Sequence, residues 1–266
     1  MPATLTAAPE SVSTLEGFQE AWEGNLNFRL TGECAPFEFD FPPLPELVDL
    51  LRRDEEVRIL RGGDHGVLDP TDIRAEFRRM PLERALESRF HLSHFKLNRF
   101  YGPGRFLHGF EARVMEPWQE FLRRGGFTWN RCYPIFFLAG PGSGSSYHMD
   151  CSHVVAWQLY GTKIFSGLRE PDRFSPLDLS VRNAYRKALY KPELKPAEVL
   201  AFDLKPGDAL WNQILTPHWV DATDEPACSL NLSHGLLRRE GKLCPNEAAL
   251  DAYWHEHPDE AWREKR

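Results

Sequence analysis

The spacing of hydrophobic residues changes character near residue 130 of this chain. Before that point the apolar positions recur at helical intervals, and residues 57–60 form one short strand-like run. Residues 1–43 are mixed in character and show no clear period. The predicted helices cover 46–53, then 71–80 with Asp69 or Thr71 as cap, and 106–124, which Pro117 splits and Gly125-Gly126 ends.

After residue 130 the pattern becomes a series of short apolar and aromatic runs. Each run is bounded by Gly, Pro or Asp, as in an antiparallel sandwich or jelly roll. A helix is predicted between strands at 183–189, and a polar C-terminal helix at 246–264 with a break at Pro258. The predicted strands cover residues 131–138, 154–160, 162–168, 199–204, 209–214, 218–222 and 228–233.

These patterns predict an α+β chain that is mainly β, with one functional domain. A helical and mixed region, 1–130, would pack on a β core at 131–240, and 241–266 would form a helical extension. The aromatic residues of that extension, Tyr253, Trp254 and Trp262, suit either a homodimer surface or a lid.

Composition narrows the range of functions. The chain has 266 residues and 42% hydrophobic content. Its formal net charge of −7 argues against non-specific binding to nucleic-acid phosphates. We find no apolar run long enough for a membrane span and no signal peptide in 1–14, so we expect a cytoplasmic protein without membrane contact. Five widely spaced cysteines predict neither a disulfide framework nor a zinc site.

One His and one Asp, His148 and Asp150, lie two residues apart. On a β-strand such residues point to the same face, so both side chains can approach one point. A second histidine, His218, would complete two imidazoles and one carboxylate, the facial triad of non-haem Fe(II) oxygenases. His153 and His234 are rival candidates for the third ligand.

The neighbouring sequence adds to this pattern. A run of small residues, 140–146, precedes His148 and allows a tight chain reversal. Lys163 follows the Gly161-Thr162 turn, where it can reach inward and pair with a carboxylate held beside a metal.

Together, His148-Met-Asp150, Gly161-Thr-Lys163 and Gly207-Asp208-Ala-Leu-Trp211, closed by His218, resemble the cupin-type JmjC family of Fe(II)- and 2-oxoglutarate-dependent dioxygenases. The resemblance spans roughly 131–235 and implies a double-stranded β-helix, or jelly roll. It implies Fe(II) bound by His148, Asp150 and His218, with 2-oxoglutarate and O2 as co-substrates. It also implies that Lys163, Ser145 and Asn231 contact 2-oxoglutarate.

The sequence departs from the family pattern after Gly207-Asp208-Ala-Leu. Family members usually continue with an aromatic residue, an aliphatic residue and a proline, whereas this chain reads Trp211-Asn212-Gln213. Tyr147 and Trp211 are candidates for the wall of a substrate pocket. Arg131, with Asn130 before it, is a candidate anchor for a substrate carboxylate.

Three hypotheses about function follow. The first is a hydroxylase of an amino acid, peptide or small metabolite that releases succinate and CO2. The second is a protein or tRNA hydroxylase, of which the acidic charge disfavours the tRNA version. The third is a cupin that binds a metal or ligand without redox turnover.

Overall fold

The computed structural model describes residues 10–61, 71–184 and 189–260. Most of its strands lie in two sheets that face each other. The strands are β1 Ser11–Val12, β2 Phe28–Leu30, β3 Arg58–Arg61, β4 Phe90–His94, β5 Phe127–Thr128, β6 Arg131–Ala139, β7 Gly144–His148, β8 His153–Tyr160, β9 Lys163–Leu168, β10 Val199–Leu204, β11 Ala209–Asn212, β12 His218–Ala222, β13 Ala227–Gly235, β14 Arg238–Arg239 and β15 Lys242–Leu243.

The order of the strands is that of a jelly roll. The major sheet runs β1-β2-β11-β8-β13-β6-β4-β3, and the minor sheet runs β10-β9-β12-β7. From β6 to β13 the chain passes back and forth between the two sheets, and its neighbours within each sheet are antiparallel. The predicted fold class, mainly β with helical additions around a jelly-roll core, is confirmed.

The major sheet is buried on both faces, which explains the continuous apolar runs in its strands. Its outer face carries Phe136, Trp157 and Trp211 into a large core that includes the N-terminal helices. Its inner face meets the minor sheet through a smaller cluster, in which Leu210 packs with Phe165 and Phe202.

The helices lie mainly outside the two sheets. Thr14 caps the first of them, because its hydroxyl accepts a hydrogen bond from the backbone of Gly17 at 3.2 Å. The helices are α1 Leu15–Trp22, α2 Leu44–Arg52, α3 Thr71–Arg79, α4 Leu82–Glu87, α5 Glu116–Arg124, α6 Pro171–Phe174, α7 Leu177–Asn183 and α8 Pro245–Glu256.

Most predicted helices are confirmed, with shifted ends. Pro117 lies in the first turn of α5, where its missing N–H costs no hydrogen bond, and a π-helical turn at Glu111–Met115 precedes it. The helix predicted at 183–189 falls mostly on residues 185–188, which lie outside the described part, whereas α7 covers Leu177–Asn183. Asp69, a predicted cap, also lies outside it.

The sequence missed several strands, of which β4 and β7 lie in the two main sheets. β4 alternates buried and half-buried residues and pairs with β6, so it extends the major sheet. β7 occupies 144–148 and overlaps the run of small residues, 140–146, that predicted a tight chain reversal. Small, weakly apolar residues give little strand signal, and here pairing with β12 decides the conformation.

The C-terminal helix packs against the protein. Trp254 is buried in the core and Tyr253 stacks on His257 at 4.2 Å, so the expected aromatic dimer surface is wrong for Trp254. Trp262 lies outside the described residues. Within the described ranges, none of the helices has the length and apolar character that crossing a bilayer requires.

We expect Gly144→Ala to be strongly destabilising. A Cβ at Gly144 would lie 1.9 Å from the carbonyl oxygen of Val220, so β7 and β12 would have to separate. The expected loss is about 3 kcal/mol in the free energy of unfolding, measured by urea denaturation. Gly207→Ala is the matched control, because its φ of 95° adds strain but its Cβ would meet nothing within 4 Å. Equal losses for the two variants would contradict this prediction.

Candidate metal centre

The structure brings His148, Asp150 and His218 together between the two sheets. His148 and His218 are directly opposite each other on β7 and β12, and their ring centroids lie 4.2 Å apart. Nε2 of each imidazole lies 3.7 Å from an oxygen of Asp150. One ligand atom from each residue lies within 4.8 Å of the other two, a spacing that suits one metal ion.

Asp150 reaches this position in a different way from that predicted. β7 ends at His148, so Asp150 lies in the turn that follows and does not share a strand with it. The turn is held by a hydrogen bond from the backbone N–H of Leu215 to the carbonyl of Asp150, at 3.0 Å. This bond connects the His148–Asp150 turn directly to the loop that carries His218.

The hydrogen bonds of both histidines leave Nε2 available to a metal. Nδ1 of His148 lies 2.7 Å from the carbonyl oxygen of Ser146, and Nδ1 of His218 lies 3.0 Å from that of Thr216. Because a carbonyl oxygen only accepts, Nδ1 carries the hydrogen in each ring and Nε2 keeps its lone pair. Both imidazoles are therefore oriented as ligands.

His218 is neutral at physiological pH. Burial lowers its pKa, the His148 imidazole lowers it further, and the pKa falls to about 4 despite the nearby Asp150 carboxylate. The ring stacks on Phe165 at 4.9 Å between centroids with an interplanar angle of 11°. A neutral imidazole held by packing is the form that binds a divalent cation.

The rival ligands His153 and His234 lie on the opposite face of the major sheet. They are directly opposite each other on β8 and β13, and Trp118 donates its indole N–H to Nε2 of His234 at 2.7 Å. His153 forms a buried ion pair with Glu247 at 3.3 Å. Burial opposes its charge, but the Cys244 thiol and the Glu247 carboxylate outweigh it and raise the pKa of His153 to about 9. Both residues stabilise the core.

Lys163 is a buried cation inside the jelly roll. Its side chain is 5% exposed, and Nζ donates to the carbonyl oxygen of Phe137 and to Oγ of Ser229, both at 3.1 Å. Within the described residues, Lys163 forms no salt bridge with a carboxylate. Burial lowers its pKa to about 8. An anion would relieve the cost of this charge.

A row of polar side chains along β13, here called the polar path, runs from the height of the candidate metal ligands to Lys163. Ser233 is opposite Val154, which in turn is opposite Asn212, while Ser229 is the residue that Lys163 contacts. Residues directly opposite share a face, so Ser233, Asn231 and Ser229 all point inward. The four residue steps from Ser233 to Ser229 span roughly 13 Å, which suits an extended dicarboxylate held at both ends.

Ser145 and Asn231 both lie on these inner faces. A bulge in the β7–β12 ladder pairs Ser145 with Val220, and this returns Ser145 to the face of His148 although the two residues are three positions apart. Asn231 pairs with Ala156, between the two ends of the polar path, and its Oδ1 is buried without a partner among the described residues. Both positions are compatible with contact to a ligand in the cleft.

His91, on β4, is a neighbour of the site that the sequence did not reveal. Burial is the main cause that lowers its pKa to about 4, and the charges of Lys163 and His148 act in the same direction. Its Nδ1 is buried without a partner within the described ranges. Since β4 itself was not predicted, no pattern could place His91 here.

Tyr147 and Trp211 do not line the cleft. Tyr147 alternates with His148 and packs with Leu168 and Trp219 on the outer face of the minor sheet. Trp211 is 0% exposed in the core, where its ring lies against Phe18 at 5.0 Å. The prediction that these aromatic residues form a pocket wall is wrong, because each neighbours an inward-facing residue and therefore points outward.

Arg131 lies at the edge of the inner face. It pairs with Gly235, and a Cβ on Gly235 would meet the guanidinium nitrogens at 2.8 Å. The guanidinium therefore lies flat across a glycine, one residue beyond His234 on β13. The adjacent Asn130 bonds to the backbone of Gly235 and to Arg238. Contact between Arg131 and a substrate stays a prediction.

Comparison with known proteins supports the fold. Neither a family model nor a curated protein matches the chain. Three solved structures of Escherichia coli YcfD are similar to this chain at 18% sequence identity. The ribosomal oxygenase in complex with cobalt and 2-oxoglutarate has a TM-score of 0.51, and the match covers 91% of this chain and 55% of YcfD. A second structure of the ribosomal oxygenase has a TM-score of 0.52 with coverages of 92% and 56%, and an X-ray structure of YcfD has a TM-score of 0.55 with coverages of 92% and 57%. The chain thus spans little more than half of YcfD, and the likeness shows a shared fold.

We expect His218→Ala to abolish tight binding of Co(II), whereas His234→Ala leaves it intact. The first substitution removes an oriented ligand, and the second removes a core residue on the far face of the sheet. Calorimetric titration with Co(II) measures the affinity, and circular dichroism checks that each variant is folded. Loss of Co(II) binding in a folded His234→Ala variant would assign the metal to the other face.

Proposed function

We propose that this protein is an Fe(II)- and 2-oxoglutarate-dependent dioxygenase that hydroxylates its substrate. His148, Asp150 and His218 would hold Fe(II), and Lys163 would hold the distal carboxylate of 2-oxoglutarate, with Ser145 and Asn231 beside it. The donor set fits, since two imidazoles and one carboxylate leave coordination positions for other ligands.

The buried charge of Lys163 carries this proposal. A metal site alone would be satisfied by an inert metal-binding cupin, and such a protein has no need of an isolated cation in its interior. Lys163 is buried and forms no ion pair with a carboxylate within the described residues. It lies at the end of the polar path that is distant from the proposed metal ligands. A dicarboxylate that binds at both ends accounts for both features.

The bound iron would supply the activation of O2 that is coupled to conversion of 2-oxoglutarate into succinate and CO2. The protein contributes ligation and orientation. Nδ1–H bonds to backbone carbonyls fix both imidazoles, and Phe165 holds the His218 ring. Lys163 would set the direction in which the co-substrate lies.

For the substrate, a protein is the better supported class. The similar structures are described as a ribosomal oxygenase, which favours a protein substrate over the free amino acid or small metabolite. On this chain, Tyr190 is 87% exposed, and the adjacent Leu189 donates its N–H to the carbonyl of Tyr147 on β7. An exposed aromatic residue beside the ligand-bearing strand suits contact with a macromolecule.

The dependence of 2-oxoglutarate binding on pH tests the role of Lys163. The ammonium form binds the carboxylate, so affinity is full below the pKa of about 8 and falls above it. Between pH 7 and pH 9 the calorimetric affinity of the Co(II)-loaded protein should fall roughly tenfold. The nearest titratable groups do not change charge in this window, because burial lowers the pKa of His91 to about 4 and raises that of Cys228 to about 12.

Lys163→Arg is the matched control for this measurement. A guanidinium stays protonated throughout the range, so the variant should bind with an affinity that changes little with pH. The same pH slope in both proteins would mean that another group controls binding.

We expect the wild-type protein to release succinate from 2-oxoglutarate in the presence of Fe(II) and O2, and Asp150→Ala to release none. Removal of the only carboxylate ligand leaves two imidazoles, which hold iron too weakly. Arg123→Ala, on α5 outside the two sheets, is the control and should keep wild-type activity. Screening with proteins and free amino acids, followed by mass spectrometry for one added oxygen atom, separates the substrate classes.

Unchanged succinate release by Asp150→Ala would refute the assignment of the metal ligands. An Fe(II)-binding wild type that never consumes 2-oxoglutarate would favour the inert cupin.

A further inference from the structure

Asn212 contacts the candidate metal ligands and lies where the JmjC-like pattern has an aliphatic residue. It is the last residue of β11 and is 1% exposed. Its Nδ2 donates to Oδ2 of Asp150 at 2.8 Å and lies 3.5 Å from Nε2 of His218. An aliphatic side chain at this position could form neither contact.

The direction of the Asn212 amide is fixed by its neighbours. A carboxylate only accepts hydrogen bonds, so the amide nitrogen, and not the oxygen, faces Asp150. The neighbouring Trp211 is buried on the other face of the strand, where its indole N–H donates to Oε1 of Gln213 at 2.7 Å. This anchorage holds β11 in place, so Asn212 has little freedom to withdraw from the site.

The hydrogen bond occupies one of the two oxygens of Asp150. Both oxygens approach an imidazole Nε2 at 3.7 Å, so a metal at this point could be bound by either oxygen or by both. A carboxylate that binds through both oxygens fills an additional coordination position. In the proposed reaction, that position is needed by the co-substrate or by O2.

We propose that Asn212 is a positioning residue that holds Oδ2 of Asp150 and leaves Oδ1 to bind the metal. The inference rests on the proposed function and adds to it a residue that the family pattern does not contain. Asn212 thereby fixes the orientation of the carboxylate before the metal arrives, as hydrogen-bonded neighbours of metal ligands commonly do.

The test is a double-mutant cycle in Co(II) affinity. Asn212→Leu keeps a similar volume but removes the donor, and we expect it to weaken Co(II) binding about tenfold in the wild-type background. An Asp150→Ala background binds Co(II) more weakly, and there the same substitution should change the residual affinity little, because the group on which Asn212 acts is gone. Should the Leu variant fail to fold, Asn212→Ala provides the same comparison.

Two results would overturn the inference while leaving the proposed function intact. Wild-type Co(II) affinity in folded Asn212→Leu would show that the hydrogen bond is dispensable. Equal losses in both backgrounds would show that Asn212 acts independently of Asp150, for example as a ligand through Oδ1. Arg123→Ala, on α5 outside the two sheets, is the control and should bind Co(II) with wild-type affinity. A wild-type protein that binds no Co(II) would refute both the inference and the proposed function.

Discussion

The candidate site depends on one repeated interaction, a hydrogen bond from Nδ1 of each histidine to the backbone carbonyl two residues earlier. It fixes the tautomer and the ring plane of His148 and of His218 by the same means. The orientation of each ligand therefore depends on the local backbone. β7 holds the first by its bulged pairing with β12, and the loop that precedes β12 must hold the second.

That loop is held from outside the jelly roll, which explains why the N-terminal region matters for the site. Gln213 is fully buried, and its Nε2 donates to the carbonyl oxygens of Trp22 and Gly24, both at 2.8 Å. Its backbone N–H donates to Oδ1 of Asn27, and Thr216 donates its hydroxyl to the carbonyl of Asn25. From the C-terminal side, Asn246 donates to the carbonyl of Ile214. Gln213, where the family pattern has a proline, thus connects the loop before His218 to residues 22–27. Loss of any of these buried hydrogen-bond partners should disturb the position of His218.

The sequence predicted the parts of the fold that long-range packing does not alter. Apolar runs such as β10 and β12 were found with their observed ends, because their alternation and flanking Gly, Pro or Asp residues determine both their type and their length. β7 and β4 could not be found, since pairing with partners distant in sequence makes them strands. At the site, spacing suggested that His148 and Asp150 share one ligand set, and the family resemblance implied His218 as the third member. Asn212 was visible only as a departure from a pattern, and its contact with Asp150 needed the structure, because no sequence rule states which way the end of β11 faces.

The two faces of the major sheet show how the chain accommodates a polar interior. The outer face is filled by aromatic side chains, among which Phe18 contacts both Trp118 and Trp211 edge to face. The inner face carries the polar atoms Asn212 Oδ1 and Asn231 Oδ1, which have no partner within the described residues, and it meets Lys163, which projects from β9 of the minor sheet. Each such atom costs about 1–3 kcal/mol when it is buried and unsatisfied, and a protein that only needed a stable jelly roll would gain by replacing them with apolar groups. Their presence beside the three candidate metal ligands is explained if a polar molecule occupies the cleft during function, with an anionic group for Lys163 and hydrogen-bond donors, bridging water included, for the amide oxygens. The apolar outer core then supplies the stability that such a polar interior does not.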